Sequence, residues 1–194
     1  MELLNVDKSI LVIIDLQGKL MEKIYRPQMV IQSTLSLLRL AEIFSVPVLV
    51  SEQYPKGLGK THPVIWESFT KLKTSKAYME KSSFGCCGDP NFEMLLAKLR
   101  PEIPSEQRQI VVAGIEAHIC VMQTTLELIQ DGNQVHICWD AVSCRGEECR
   151  KHALDRMYQA SAVITNHESV GFEWARDKNH PGFKEMSQLF KEEQ

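Results

Sequence analysis

The chain contains the segment Gln109-Ile-Val-Val-Ala-Gly-Ile-Glu-Ala-His-Ile-Cys120, in which an apolar run turns at a glycine and leads to a cysteine. The run Ile110-Val-Val-Ala113 has the continuous, β-branched character of a strand buried on both faces. Beyond the cysteine, apolar residues recur at three-to-four-residue spacing from Val121 until Asp131-Gly132, which predicts a helix. Cys120 therefore lies at a junction between a strand and a helix.

The same alternation of buried strands and amphipathic helices extends over the rest of the chain. Strands separated by helices predict a parallel sheet that is covered on both faces. We therefore expect one α/β domain over residues 1–194, with three αβα layers and a mostly parallel, doubly wound sheet of about six strands. The predicted strands are Ile10–Ile14, Val46–Val50, Ile110–Ala113, Val135–Trp139 and Ser161–Thr165, and the predicted helices include Pro27–Phe44, Asn91–Leu99, Glu147–Tyr158, His167–Ala175 and Phe183–Phe190.

The composition of the chain excludes some classes of partner and indicates its cellular compartment. The 22 Lys plus Arg against 25 Asp plus Glu give a net charge of -3, and no basic run is long enough to follow a phosphate backbone. The N-terminal residues lack the basic region and long apolar stretch of a signal peptide or membrane span. Six cysteines form no regular disulfide framework. We expect a cytoplasmic protein that acts on a small molecule and binds neither nucleic acid nor membrane.

Cys120 is a candidate nucleophile because of its position. The first N–H groups of a helix carry partial positive charge, which predicts a lowered pKa for a thiol placed there and a ready oxyanion site. The alternative is that Cys120 is a small buried hydrophobe, as most intracellular cysteines are.

Two further residues are candidates because ligands bind beyond the carboxyl ends of parallel strands. Asp15 directly follows an apolar strand, although a helix cap or loop hydrogen bond would also explain it. Lys81 lies in Tyr78-Met-Glu-Lys-Ser-Ser-Phe-Gly85, which predicts a loop reaching toward the same crevice. A solvated surface charge is the alternative for this lysine.

Together, Asp15, Lys81 in Lys-Ser-Ser-Phe, and Cys120 resemble the Asp, Lys and Cys triad of the isochorismatase-like cysteine hydrolases. The resemblance spans nearly the whole chain, from Ile13-Ile-Asp-Leu-Gln17 to Phe183-Lys-Glu-Met186. Two segments are more specifically similar to the isochorismatase domain-containing protein subgroup. These are Ser51-Glu-Gln-Tyr-Pro-Lys-Gly-Leu-Gly59 and Ala175-Arg-Asp-Lys-Asn-His-Pro-Gly-Phe183.

The resemblance implies a Rossmann-like hydrolase that acts on C–N bonds other than peptide bonds, or on an ester. Asp15 would take the proton of Cys120, the thiolate would form an acyl-enzyme, and Lys81 would hold Asp15 charged and oriented. A cis peptide between Ile115 and Glu116 would precede an oxyanion hole made by the Glu116 and Cys120 N–H groups. True isochorismate hydrolases generally lack the cysteine, so Cys120 favours acyl chemistry.

Substrate and cofactor expectations follow from the same resemblance. Nicotinamidases usually carry an Asp-x-His-x-His metal site after the second strand, whereas Glu52-Gln-Tyr-Pro-Lys56 offers one carboxylate and no histidine. We therefore expect no metal and no other cofactor. The predicted pocket wall consists of the side chains of Gln17, Tyr54, Phe84 and His118.

Two alternatives stay open. Cys144, Cys149 and His152 suggest zinc, but their spacing matches no usual ligand pattern and a fourth ligand is missing, so unpaired thiols are favoured. A catalytically quiet binding or interaction protein that keeps the fold is the alternative function. The resemblance also implies a homo-oligomer, a dimer or larger.

Overall fold

The computed structural model describes residues 2–192, and within them the strands form one six-stranded parallel sheet in the order β3-β2-β1-β4-β5-β6. The strands are β1 (Ser9–Ile14), β2 (Val48–Gln53), β3 (Lys76–Lys81), β4 (Gln109–Ile115), β5 (Gln134–Ser143) and β6 (Val163–Thr165). The helices are α1 (Gly18–Met21), α2 (Pro27–Ile43), α3 (Pro55–Leu58), α4 (Pro63–Lys71), α5 (Pro90–Leu99), α6 (Met122–Gln130), α7 (Glu147–Gln159), α8 (His167–Ala175) and α9 (Phe183–Glu192). A π-helical turn, Ala117–Val121, precedes α6.

The sheet separates two hydrophobic cores, which confirms the predicted three-layer αβα fold. Helices α2, α4, α8 and α9 bury apolar side chains on one face, and α5, α6 and α7 bury theirs on the other. Every residue of β1, β2 and β4 is buried, as their continuous apolar runs predict. No helix among residues 2–192 is both long and apolar enough to cross a bilayer.

Two features of the sheet differ from the expectations. Lys81 is the last residue of β3, an edge strand, and does not lie in a loop. The sequence of this strand gave no buried apolar run because edge strands carry charged residues and only partly bury their side chains. Strand β5 also extends to Ser143, so Asp140 lies within it and binds His167 at 2.5 Å, away from the strand end.

The strand order reverses between β1 and β4, which is the point where ligands bind in doubly wound sheets. The chain fills the sheet from β1 to β3 on one side and from β4 to β6 on the other, and a crevice opens where neighbouring connections diverge. Gly114 pairs with Ile14 at this point, with φ of 141°. A Cβ at Gly114 would lie 2.3 Å from the Ile14 carbonyl oxygen, so only glycine permits this close approach.

Candidate active site

A buried ion pair between Asp15 and Lys81 forms the centre of the site. Lys81 Nζ lies 2.7 Å from Asp15 Oδ2, and both side chains are fully buried. The same ammonium donates to Gln53 Oε1 at 2.8 Å, to the Ser83 carbonyl at 3.2 Å and to the Phe84 carbonyl at 2.9 Å. A buried charge needs this degree of hydrogen bonding to offset its desolvation.

The carboxylate of Asp15 is oriented by its backbone and by a neighbouring strand. Asp15 has φ of 52°, a left-handed conformation in which aspartate is enriched, and its N–H donates to the Ser51 carbonyl at 3.1 Å. The Ser51 hydroxyl donates to Asp15 Oδ1 at 2.8 Å. One carboxylate oxygen therefore binds Ser51 and the other binds Lys81, which fixes the plane of the group.

Cys120 lies in the π-helical turn Ala117–Val121, where Asp15 and Lys81 both act on the pKa of its thiol. The Thr124 hydroxyl donates to the Cys120 carbonyl at 2.7 Å and accepts from the Cys86 N–H at 2.9 Å. The fold thus brings Asp15, Lys81 and Cys120 together from the ends of β1 and β3 and from the turn after β4.

The pKa of Cys120 moves in the direction opposite to the one expected from its place before a helix. Burial first and the negative charge of Asp15 second raise the pKa of the Cys120 thiol from 9.0 to about 12, and Lys81 opposes the rise only in part. The expectation of a lowered pKa was wrong because it counted helix N–H groups and omitted desolvation. The resting pair is a thiol beside a carboxylate.

The turn between β4 and Cys120 contains the predicted cis peptide between Ile115 and Glu116. The Glu116 carbonyl accepts from the Ile119 N–H at 3.0 Å. The largely buried carboxylate of Glu116 accepts from Arg145 Nε, which lies 3.1 Å from each of its oxygens. Arg145 comes from the loop after β5, so a second element holds this turn in place.

Sequence reasoning missed several of these supporting residues. Ser51 is a polar residue at the end of an apolar strand, a signal that could have identified it by the same argument as Asp15. Thr124, Cys86 and Arg145 carried no such signal, because their roles depend on contacts between distant segments.

The four predicted pocket residues differ in their surroundings. Gln17 is completely buried, and its amide bonds the Gln53 N–H and carbonyl and the Gly59 carbonyl. Tyr54 and Phe84 are about 60% exposed, and their backbones flank Lys81. His118 is partly exposed, and its Nε2 lies 3.7 Å from Glu116 Oε2. Contact of any of the four with substrate stays a prediction.

The residues at the end of β2 do not fit the nicotinamidase type of metal site. The buried Glu52 carboxylate already accepts from the Thr61 N–H at 2.6 Å, from the Thr61 hydroxyl and Tyr78 hydroxyl at 2.8 Å each, and from Lys60 Nζ at 3.2 Å. Burial alone raises the pKa of Glu52, but these hydrogen bonds outweigh it and hold the pKa below its usual value. Its two oxygens thus already accept hydrogen bonds from protein donors, and these bonds hold the segment after α3 in place.

Comparison with known proteins gives consistent findings. A family model described as the isochorismatase domain matches residues 9–169. The protein named isochorismatase domain-containing protein 2 of Rattus norvegicus is 35% identical over 187 residues, which cover 96% of this chain and 82% of that protein. Isochorismatase family protein 1B of Dictyostelium discoideum is 33% identical over 186 residues, which cover 96% of this chain and 87% of that protein. The structure named MAR1 ribonuclease from Caenorhabditis elegans superposes with a TM-score of 0.86 at 34% identity, covering 97% of this chain and 92% of that one.

Proposed function

The chain belongs to the isochorismatase family, and we propose that it is a metal-independent cysteine hydrolase that cleaves a small amide, imide or ester. One observation carries the proposal: the Asp15 carboxylate binds the Lys81 ammonium at 2.7 Å and lies near enough to the Cys120 thiol to raise its pKa. A nucleophile, its base and the group that orients the base are the parts that covalent catalysis needs. The buried position of all three supports reaction away from bulk water.

In the first half-reaction, Asp15 takes the thiol proton as Cys120 Sγ attacks the carbonyl carbon of the substrate. The electron pair of the carbonyl moves to oxygen and returns as the C–N or ester C–O bond breaks. Asp15 then gives its proton to the departing nitrogen or oxygen. The product that leaves is an amine, amide or alcohol, and the acyl group stays on Cys120 as a thioester.

In the second half-reaction, a water molecule attacks the thioester and Asp15 takes one of its protons. The C–S bond breaks, a carboxylic acid leaves, and the proton returns to Cys120. Four oxygens accept from the Lys81 ammonium and hold it in place in both halves. Its role is to hold the Asp15 carboxylate ionised and oriented between proton transfers.

The oxyanion of each tetrahedral intermediate is proposed to bind the backbone N–H groups of Glu116 and Cys120. Arg145 supports this assignment because it anchors the Glu116 side chain and so limits movement of the turn. The exposed rings of Tyr54 and Phe84, whose backbones contact Lys81, are proposed to contact the substrate. Gln17 and His118 are proposed to complete the wall of the site.

Cleavage of RNA is the second candidate, because the Caenorhabditis elegans protein is named a ribonuclease. The net charge of -3 weighs against it, since binding to a phosphate backbone depends on clustered Lys and Arg. The thiol and carboxylate also suit a carbonyl carbon better than a phosphodiester. The third candidate is a binding protein that keeps the fold but has no catalytic activity.

The experiment is an acylation screen. We would incubate the protein with a panel of small amides, imides and esters, and with a short RNA, and follow acyl adducts by intact mass and peptide mapping. We expect an adduct on Cys120 with at least one carbonyl compound, and its disappearance as free acid is released.

Two variants make the screen decisive. Cys120→Ala removes the nucleophile, and Cys138→Ala removes an equally buried thiol from β5 as the matched control. An adduct that persists in Cys120→Ala, or RNA cleavage that persists in it, contradicts the proposal. Absence of any adduct across the panel favours the quiet binding protein. Light scattering on the same samples tests the expected homo-oligomer.

A further inference from the structure

The folded chain brings together three side chains that are typical ligands of a soft metal ion. His118, Cys144 and Cys149 each offer one ligand atom, and these atoms all lie within 4.8 Å of one another. His152, the histidine that the sequence spacing suggested, is 74% exposed in its side chain and lies 3.6 Å from Glu148 one helical turn away. The folded chain therefore groups the two cysteines with His118 and not with His152.

The three residues come from elements that surround the candidate active site. Cys144 directly follows β5, Cys149 lies in the first turns of α7, and His118 lies in the π-helical turn two residues before Cys120. Cys144 is completely buried, and the other two are partly exposed. A metal bound here would fasten the start of α7 to the turn that carries the nucleophile.

The surroundings of His118 favour a ligand role. Its Nδ1 is buried without a hydrogen-bond partner, and a buried unsatisfied nitrogen is costly unless something binds it. Its Nε2 faces Glu116 Oε2 at 3.7 Å, within a small shift of a hydrogen bond. Histidine that ligates a metal through one nitrogen commonly donates to a carboxylate through the other.

We propose that His118, Cys144 and Cys149 form a binding site for a thiophilic divalent cation of the Zn²⁺ type, with a water molecule as the fourth ligand. Zinc–sulfur bonds of about 2.3 Å in a tetrahedron place ligand atoms about 3.8 Å apart, so the group needs to contract by about 1 Å or less. Both thiols lose their protons to solvent on binding, and the Cys144 thiol gives up its 3.3 Å contact with the Gly146 carbonyl. The two thiolates neutralise the charge of the ion.

The test is a zinc titration of the reduced, metal-free full chain in competition with a chromophoric chelator. We expect one equivalent to bind, and we expect at least a tenfold loss of affinity in His118→Ala and in Cys149→Ser. Both residues are partly exposed, so these variants should fold, which circular dichroism checks. His152→Ala and Cys87→Ser, a histidine and a cysteine outside the group, should bind as tightly as the parent chain.

Cobalt substitution supplies an independent readout. Co²⁺ in the site should give thiolate-to-metal charge-transfer absorption and the intense visible bands of tetrahedral geometry, and both should weaken in Cys149→Ser. The proposal is overturned if no metal binds in competition with the chelator, if His118→Ala binds as well as the parent, or if Cys120→Ala abolishes binding. The last result would place the metal on the nucleophile.

Discussion

Replacing Asp15 by asparagine should separate the reactivity of Cys120 toward an alkylating reagent from its catalytic use. Because its pKa is raised to about 12, Cys120 is almost entirely a thiol at pH 7.5 and far less ionised than a free cysteine. The causes of this high pKa are burial first and the charge of Asp15 second. Asp15→Asn removes the second cause and leaves the first.

The size of the effect follows from charge and distance. A unit charge about 4 Å away in a medium of effective dielectric about 20 is worth about 4 kcal/mol, and the partner Lys81 already cancels part of this. Lys81 keeps three of its acceptors in the variant, Gln53 Oε1 and two backbone carbonyls. We therefore expect the pKa of Cys120 to fall and alkylation at pH 7.5 to become at least about tenfold faster, equivalent to about 1.4 kcal/mol. Acylation by a substrate should fall by about 10²-fold or more, because the base is gone.

The assay is the rate of iodoacetamide labelling of Cys120, measured by peptide mapping across neutral to alkaline pH. Mapping is needed because Cys86, whose pKa burial raises to about 11, lies in the same site. Asp131→Asn, at an exposed carboxylate just after α6, is the matched control and should leave the rate unchanged. If Asp15→Asn slows alkylation of Cys120, the resting enzyme already holds a thiolate that depends on Asp15, and the reasoning fails.

Three further predictions concern the frame around the site. Gly114→Ala should lower the free energy of unfolding by about 3 kcal/mol, because the new Cβ would meet backbone atoms of β1 at a residue with positive φ. Gly18→Ala is the control, since a Cβ there meets nothing within 4 Å, and it should leave the free energy of unfolding almost unchanged. Urea titrations of both variants measure the difference. Ser51→Ala should slow acylation about tenfold, since Asp15 loses its 2.8 Å hydrogen bond; an unchanged rate would show that Lys81 alone suffices. Burial lowers the pKa of His136 from 6.5 to about 4, so the unfolded chain takes up the proton first and stability falls by about 3 kcal/mol as the pH drops from 6.5 to 4. His136→Leu should not lose this stability, which unfolding titrations at the two pH values would measure. Equal losses in the variant and the parent would show that His136 is not the cause.

Local patterns in the sequence were sufficient for the α/β architecture and for part of the site. The continuous apolar runs of β1 and β4 report burial on both faces, and a parallel sheet brings their carboxyl ends to one edge. Asp15 and Cys120 follow those two strands, so their proximity was implied before any coordinate was known. Lys81 was assigned to the site by resemblance, while its strand escaped notice because a charged edge strand lacks a buried run.

Only the tertiary structure decides the properties that depend on contacts between distant segments. The pKa of Cys120 rises because surrounding elements exclude water from its thiol, and the residues next to it in sequence do not encode that desolvation. The grouping of His118 with Cys144 and Cys149 depends on how the start of α7 packs on the turn after β4. Periodicity determines which face of an element is buried, whereas the partners across that face, and the dielectric they create, are set by packing over long sequence separations.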